Sequence, residues 1–158
     1  MPKPTSMLHL LEFECSGQRI GLPLDHVRRA IPSAQPLPLP GAGAAVIGVL
    51  NLAGAIVAVL DLCYRLGLPR RPIEPVQQIV VIELPAFLCG LVVDRIHGVV
   101  ERDADIAMPD ELNAAPFVQG VLRLDDGLCL ILDPARFLFP DEAQALAAAL
   151  AGGADGMH

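Results

Sequence analysis

At 158 residues the chain has room for one domain, or two small fused units, and a globule of that size buries about two thirds of the surface its unfolded form exposes, so disulfides are not needed to hold a core. A formal net charge of −7 with one lysine, Lys3, excludes a nucleic-acid groove built on clustered cations, and 4% aromatic content without Trp leaves few stacking surfaces for bases or sugars. The 53% hydrophobic content is therefore that of an aliphatic core, and the expected partners are proteins.

The N-terminal MPKPTSMLHLLEF lacks the basic start and long apolar run of an export signal, which points to the cytoplasm. The four cysteines, Cys15, Cys63, Cys89 and Cys129, lie far apart and read as small reduced hydrophobes. LLEFECSGQRI, from Leu10, is a short apolar strand and a turn, followed by GLPLDHV. IPSAQPLPLPGAG, from Ile31, holds four prolines, cannot be an interior strand and predicts a surface crossing. Ala44 to Leu60 carries no charge over 17 residues, at the lower edge of a bilayer span. Asn51 and Gly54 at its centre, and its density of Val and Ile, predict instead two strands joined by a turn at Asn51 to Gly54, with no membrane insertion.

Asp61 then caps a short helical run, and LGLPRRPIEPVQQ, from Leu66, is a linker in which Arg70 and Arg71 read as solvated charges. IVVIELPAFLC and GLVVDRI form the next strands, and ERDADIAMPDELNAAP, from Glu101, is a loop whose carboxylates lack EF-hand spacing. FVQGVLRLDDGLCLILD, from Phe117, is a hairpin with its turn at Asp126-Gly127, ending at Asp133-Pro134, where a helical turn starts. PDEAQALAAAL, from Pro140, is a helix docked by Leu146 and Leu150 and stopped by Gly152-Gly153, leaving residues 151–158 as a flexible tail.

The chain repeats itself. At an offset of 72, VIGVLNLAGAIVAVLDLCYRL from Val46 aligns without a gap on VQGVLRLDDGLCLILDPARFL from Val118, matching Gly48 to Gly120 and Asp61 to Asp133. At an offset of 69, GLPLDHV from Gly21 aligns on GLVVDRI from Gly90. These matches predict an internal duplication, over about 10–66 and 76–139, of an all-β unit: hairpin, crossing segment, hairpin, short helical turn.

Little in this pattern could catalyse. Asp61 and Asp133 read as helix caps, and Asp25 and Asp94 as turn or cap residues. His9, His26, His97 and His158 have no metal-ligand spacing, a Cys–His pair involving Cys63 or Cys89 has no local signature, and GAGAAV lacks the Lys and helix of a phosphate loop. No cofactor, metal or enzymatic activity is expected.

The order VIGVLNLAGAIVAVLDL, GLVVDRIHGVV, a Pro-ended loop and FVQGVLRLDDGLCLILD resembles the CheW-like domain of bacterial chemotaxis coupling proteins, from about Leu10 to Leu138. The resemblance implies one domain over 10–150 made of two intertwined SH3-like five-stranded β-barrels around a shared hydrophobic core, with short helices and a C-terminal helix. It further implies a non-enzymatic adaptor between the cytoplasmic tips of chemoreceptors and the regulatory domain of a CheA-type histidine kinase. Carried over by motif, the partner-binding positions are Val27, Arg29, Gly48, Asn51, Ala53, Gly54, Val92, Val93 and Asp94. Core packing competes with this reading at Val27 and Val93 and is preferred at Gly48. Two positions leave the family pattern: N-L-R-G has Ala53 in place of Arg, and V-R-R-A has Arg29 where an acid is common. Loss of both members of an acid–base pair implies an auxiliary adaptor with altered partner choice, for instance in a system controlling twitching pili.

Overall fold

The computed structural model of the protein describes residues 7–69, 71–103 and 116–155, with residues 152–155 as backbone alone. β1 (Met7–Cys15) turns through Ser16 and Gly17, both at positive φ (52° and 80°), into β2 (Gln18–Pro23); that backbone matches the strand twist in a two-residue hairpin loop. A 3-10 turn (Leu24–His26) leads to β3 (Val27–Pro32), and the Pro-rich crossing leads to the hairpin of β4 (Val46–Leu52) and β5 (Ala55–Leu60), then α1 (Leu62–Leu66). The second half repeats the order: β6 (Gln78–Glu83), β7 (Leu88–Val93), β8 (Arg95–Asp103), β9 (Val118–Leu124), β10 (Gly127–Leu132), a 3-10 turn (Pro134–Arg136) and α2 (Pro140–Asp155). The start of the segment from Glu101 thus completes β8, and residues 104–115 lie outside the described residues.

The sequence repeats are not the barrels. The strands form two five-stranded sheets, β8-β1-β2-β10-β9 and β3-β6-β7-β5-β4, so each half gives its third strand to the other half's first hairpin. β3 pairs antiparallel with β6 (Ala30 opposite Val80) and β8 with β1 (Leu10 opposite Val100), while β2–β10 and β5–β7 run parallel. The protein is all-β, with two interlocked SH3-like barrels. Alternating side chains divide between three apolar clusters. Leu10, Cys129 and Ile131 fill one barrel and Val57, Ile79 and Val81 the other, while Phe13, Ile20, Leu60, Val80, Ile82, Leu91 and Leu132 meet in the core between them. β5, β6 and β10 are thus buried on both faces, which explains runs such as AIVAVL without polar alternation.

The predicted caps are present. Asp61 Oδ1 accepts from Tyr64 N at 3.0 Å and Asp133 Oδ1 from Ala135 N at 3.2 Å, the latter with Pro134 just inside its turn. The second hairpin reverses at Asp125 and Asp126, the residues equivalent to Ala53 and Gly54, so Gly127 opens β10 rather than completing the tip. α2 does not stop at Gly152-Gly153 but continues to Asp155; each glycine costs a helix about 1 kcal/mol relative to Ala without forbidding it, and Leu146 anchors the preceding turns in the shared core. Residues 156–158 of the expected tail lie outside the described residues.

α2 is also tied down by charge. The Arg65 side chain, only 6% exposed, donates from Nη2 to Glu142 Oε1, and its guanidinium lies 4.3 Å from the Phe139 ring centre and 5.7–5.9 Å from those of Phe137, Phe117 and Tyr64. Glu142 Oε1 also accepts from Phe139 N at 2.8 Å, so one carboxylate both starts α2 and holds α1 against it.

Candidate partner-docking site

The barrel of β3-β6-β7-β5-β4 holds most of the positions singled out in the sequence. The chain leaving β3 wraps round it, and Leu37 pairs with Val49 of β4 by two backbone hydrogen bonds of 2.8 and 2.9 Å, closing the sheet on itself. Gly48 permits this closure: a Cβ there would stand 2.4 Å from the Leu37 carbonyl oxygen and 2.9 Å from Pro36 Cβ. Gly48 is therefore a packing position that presents no side chain to a partner. Val93 is fully buried in the shared core, which favours packing of the two readings open for it, and Val27 is half-buried against the same core.

At the other end of β4 the chain reverses through Ala53 (φ 52°) and Gly54 (φ 90°), with Gly54 N donating to Asn51 Oδ1 at 2.8 Å. A two-residue hairpin loop of this hand needs positive φ at both central positions, which explains Gly54 and the capping Asn51 and leaves Ala53 strained by roughly 1–2 kcal/mol. Next to this turn a cleft of about 310 Å³ is lined by Arg28, Arg29, Leu52, Ala55, Val81 and Leu88, one or more residues from each of the five strands. Its floor is apolar and its rim cationic. Arg28 is held by Glu83 (Nε to Oε2 3.2 Å), whereas Arg29, exposed, makes no ion pair among the described residues. The structure thus brings Arg29, Asn51, Ala53 and Gly54 to one mouth of the barrel.

Val92 and Asp94 are elsewhere, at the end of β7 far from Leu88, Val92 within the strand and Asp94 just past it. Val92 is half-buried against the interior of this barrel and shares a small cleft with Arg71 and Ile47. Asp94 is a hub within the chain: its carboxylate accepts from Ser16 N, Gln77 Nε2 and Arg71 Nη2, each at 2.7 Å. Arg71 is thus not merely solvated, and Asp94 ties the β1–β2 turn to the linker and to the start of β8. Its repeat equivalent Asp25 is exposed in a 3-10 turn. Burial raises the Asp94 pKa, but the hydrogen bonds from Ser16, Gln77 and Arg71 and the Arg71 charge outweigh it and hold the carboxyl below the usual range. A carboxyl depressed in the folded state stabilises above its unfolded value, about 3.9, and loses that contribution as pH falls through the folded value. Asp94→Asn should therefore lower stability at pH 7 and flatten the decline below about pH 4, read by urea titrations across pH; equal slopes in both proteins would refute the hub.

Two charged residues that hold the fold had no motif. Glu12, with its side chain 2% exposed, takes a bidentate grip from Arg102 at 2.9 and 3.0 Å, joining β1 to β8. Its signal was a carboxylate on the face of β1 that also carries Leu8 and Leu10. Arg65 was signalled by the aromatic residues gathered at positions 117, 137 and 139. Cys15, Cys89 and Cys129 are buried as expected, but Cys63 is only half-buried, because it sits on the short α1. Burial pushes the Cys89 thiol up to about 12, which argues against its use as a nucleophile at neutral pH. Among the described residues no three His, Cys, Asp or Glu converge as a metal site.

The protein is thus a small all-β domain of two interlocked barrels with an apolar, cation-rimmed cleft at the mouth of one of them. The chain belongs to the CheW-like domain family, whose model matches residues 9–139. It is 28% identical to Protein PilI of Pseudomonas aeruginosa over 70% of this chain and 65% of that protein, so the match spans just under two thirds of the relative's length. It is also 28% identical to the chemotaxis protein CheW of Rhizobium meliloti over 87% of this chain and 91% of that one. The crystal structure of the scaffolding protein TtCheW from Thermoanaerobacter tengcongensis superposes with a TM-score of 0.75 at 24% identity, over 84% of this chain and 92% of that chain, a likeness of fold.

Proposed function

We propose that the protein is a non-catalytic adaptor of bacterial chemosensory signalling, linking the cytoplasmic tips of chemoreceptors to the regulatory domain of a CheA-type histidine kinase. The observation that carries this reading is the family match across both barrels, residues 9–139. The working unit is the whole domain over 10–150, acting in the cytoplasm at membrane-associated receptor arrays. Among the described residues no helix is long and apolar enough to cross a membrane. Binding of the purified chain to a receptor signalling fragment and to a CheA regulatory domain, followed by calorimetry, tests the proposal; failure to bind either would sink it.

A second reading, an auxiliary adaptor with altered partner choice serving pili or another output, is favoured by the docking cleft itself. Leu52 and Ala55, on either side of the Ala53–Gly54 turn, line one cavity with Arg29, so the acid and base that the family pattern puts at positions 29 and 53 would stand at the same mouth of the barrel. Here the rim keeps an uncompensated positive charge on a chain of net charge −7, which selects a partner with an acid opposite Arg29 and penalises one with a cation there. Arg29→Glu with Ala53→Arg should tighten binding to partners of an ordinary CheW by about tenfold, while neither single change alone tightens it by more than about 1.5-fold. Strict additivity in the four-member cycle would separate the two positions, and affinities already equal to those of an ordinary CheW would remove the case for altered choice.

A further inference from the structure

The fold brings together two thiols 48 residues apart: Cys15 Sγ and Cys63 Sγ lie 3.6 Å from each other. Cys15, 1% exposed, is the last residue of β1, and Cys63 stands half-buried in α1 with Ser16 Oγ 3.7 Å from its sulfur. β1 belongs to one sheet and α1 leaves the last strand of a hairpin in the other, so the pair spans the two barrels. Arg71, held on Asp94, lines one small cleft with Cys63. Disulfide sulfurs lie about 2.05 Å apart, so the two must close by about 1.5 Å, a movement that side-chain rotation on a five-residue helix can supply.

We infer that Cys15 and Cys63 form a reversible oxidation site that staples the two barrels together when the protein meets hydrogen peroxide. The sulfur of Cys63, the less buried residue of the pair, attacks one peroxide oxygen; the O–O bond breaks, giving a Cys63 sulfenic acid and one water. The Cys15 sulfur then displaces the sulfenic hydroxyl, forming the S–S bond and releasing a second water. Two thiols have lost two electrons and two protons, and one peroxide has become two waters. The order of attack follows from the surroundings. Burial, with the neighbouring Cys63 and Asp94, pushes the Cys15 thiol up to about 12 against the opposing charge of Arg71, which suits it to the second step, where proximity replaces reactivity. Cys89 and Cys129, buried and making no sulfur–sulfur contact among the described residues, serve as internal controls.

Peptide mapping of the full-length protein under non-reducing conditions, after treatment with hydrogen peroxide, tests this directly. A Cys15–Cys63 linked peptide within single chains, reversed by dithiothreitol, is the expected result, with a thermal midpoint raised by about 5–10 °C over the reduced protein. Cys15→Ser should leave Cys63 trapped as a sulfenic acid that dimedone labels, and Cys63→Ser should leave Cys15 unmodified. The wild-type map stands even if a variant misfolds. Cys63 driven to sulfinic acid or to cross-links between chains while Cys15 stays free would overturn the inference, as would an oxidised protein no more stable than the reduced one.

Discussion

Glu142→Ala is expected to destabilise the protein by about 3 kcal/mol, and the loss should begin at the C-terminal helix. The carboxylate serves two donors, Arg65 Nη2 and Phe139 N, and removing it leaves a guanidinium that is 6% exposed with aromatic faces alone. Deleting one partner of a buried ion pair costs about 3–5 kcal/mol, and the 21% exposure of Glu142 puts this case at the lower end, because water can enter where the carboxylate stood. Four rings around the Arg65 cation offset part of the cost, at about 0.5–2 kcal/mol for a good contact. Denaturant titration should show the lower midpoint, and amide exchange should show α2 opening before the sheets. Arg65→Met with Glu142→Leu, which replaces the pair by apolar groups, should recover most of the loss. A loss below about 0.5 kcal/mol for Glu142→Ala would mean that the rings alone hold the guanidinium.

The sequence announced its elements better than their partners. Turn chemistry at Asn51 to Gly54, the caps Asp61 and Asp133, and the match at an offset of 72 were sequence signals, and the hairpins and helical turns stand where they put them, save that the second hairpin reverses one residue before the expected Asp126-Gly127. Partner exchange of β3 and β8 was not legible, because strands apolar on both faces, such as β6 and β10, accept a neighbour on either side, and only the three-dimensional sharing of the core decides which. Asp94 shows the same limit at the candidate site. Its likeness to Asp25 suggested a turn residue, but its three donors come from Ser16, Arg71 and Gln77, which only the fold assembles. Gly48 was legible in kind, as a place of close backbone approach, though nothing in VIGVLNL says that the approaching backbone is that of Leu37.

Arg102→Ala is the second large effect, about 3–5 kcal/mol at neutral pH, and it tests the strand exchange itself, since Arg102 on β8 is what neutralises Glu12 on β1. The two deletions should not cost the same. Arg102 is 33% exposed and can be hydrated when Glu12 is changed, whereas Glu12, 2% exposed, is stranded when Arg102 is removed. Glu12→Gln is therefore expected to cost less than Arg102→Ala, and Arg102→Lys, which keeps the charge but loses the paired geometry, to fall between. Denaturant titrations of the three variants at neutral pH decide it: a Glu12→Gln that costs as much as Arg102→Ala, or more, would mean that water reaches Glu12 and that β8 is held to β1 by its backbone ladder alone.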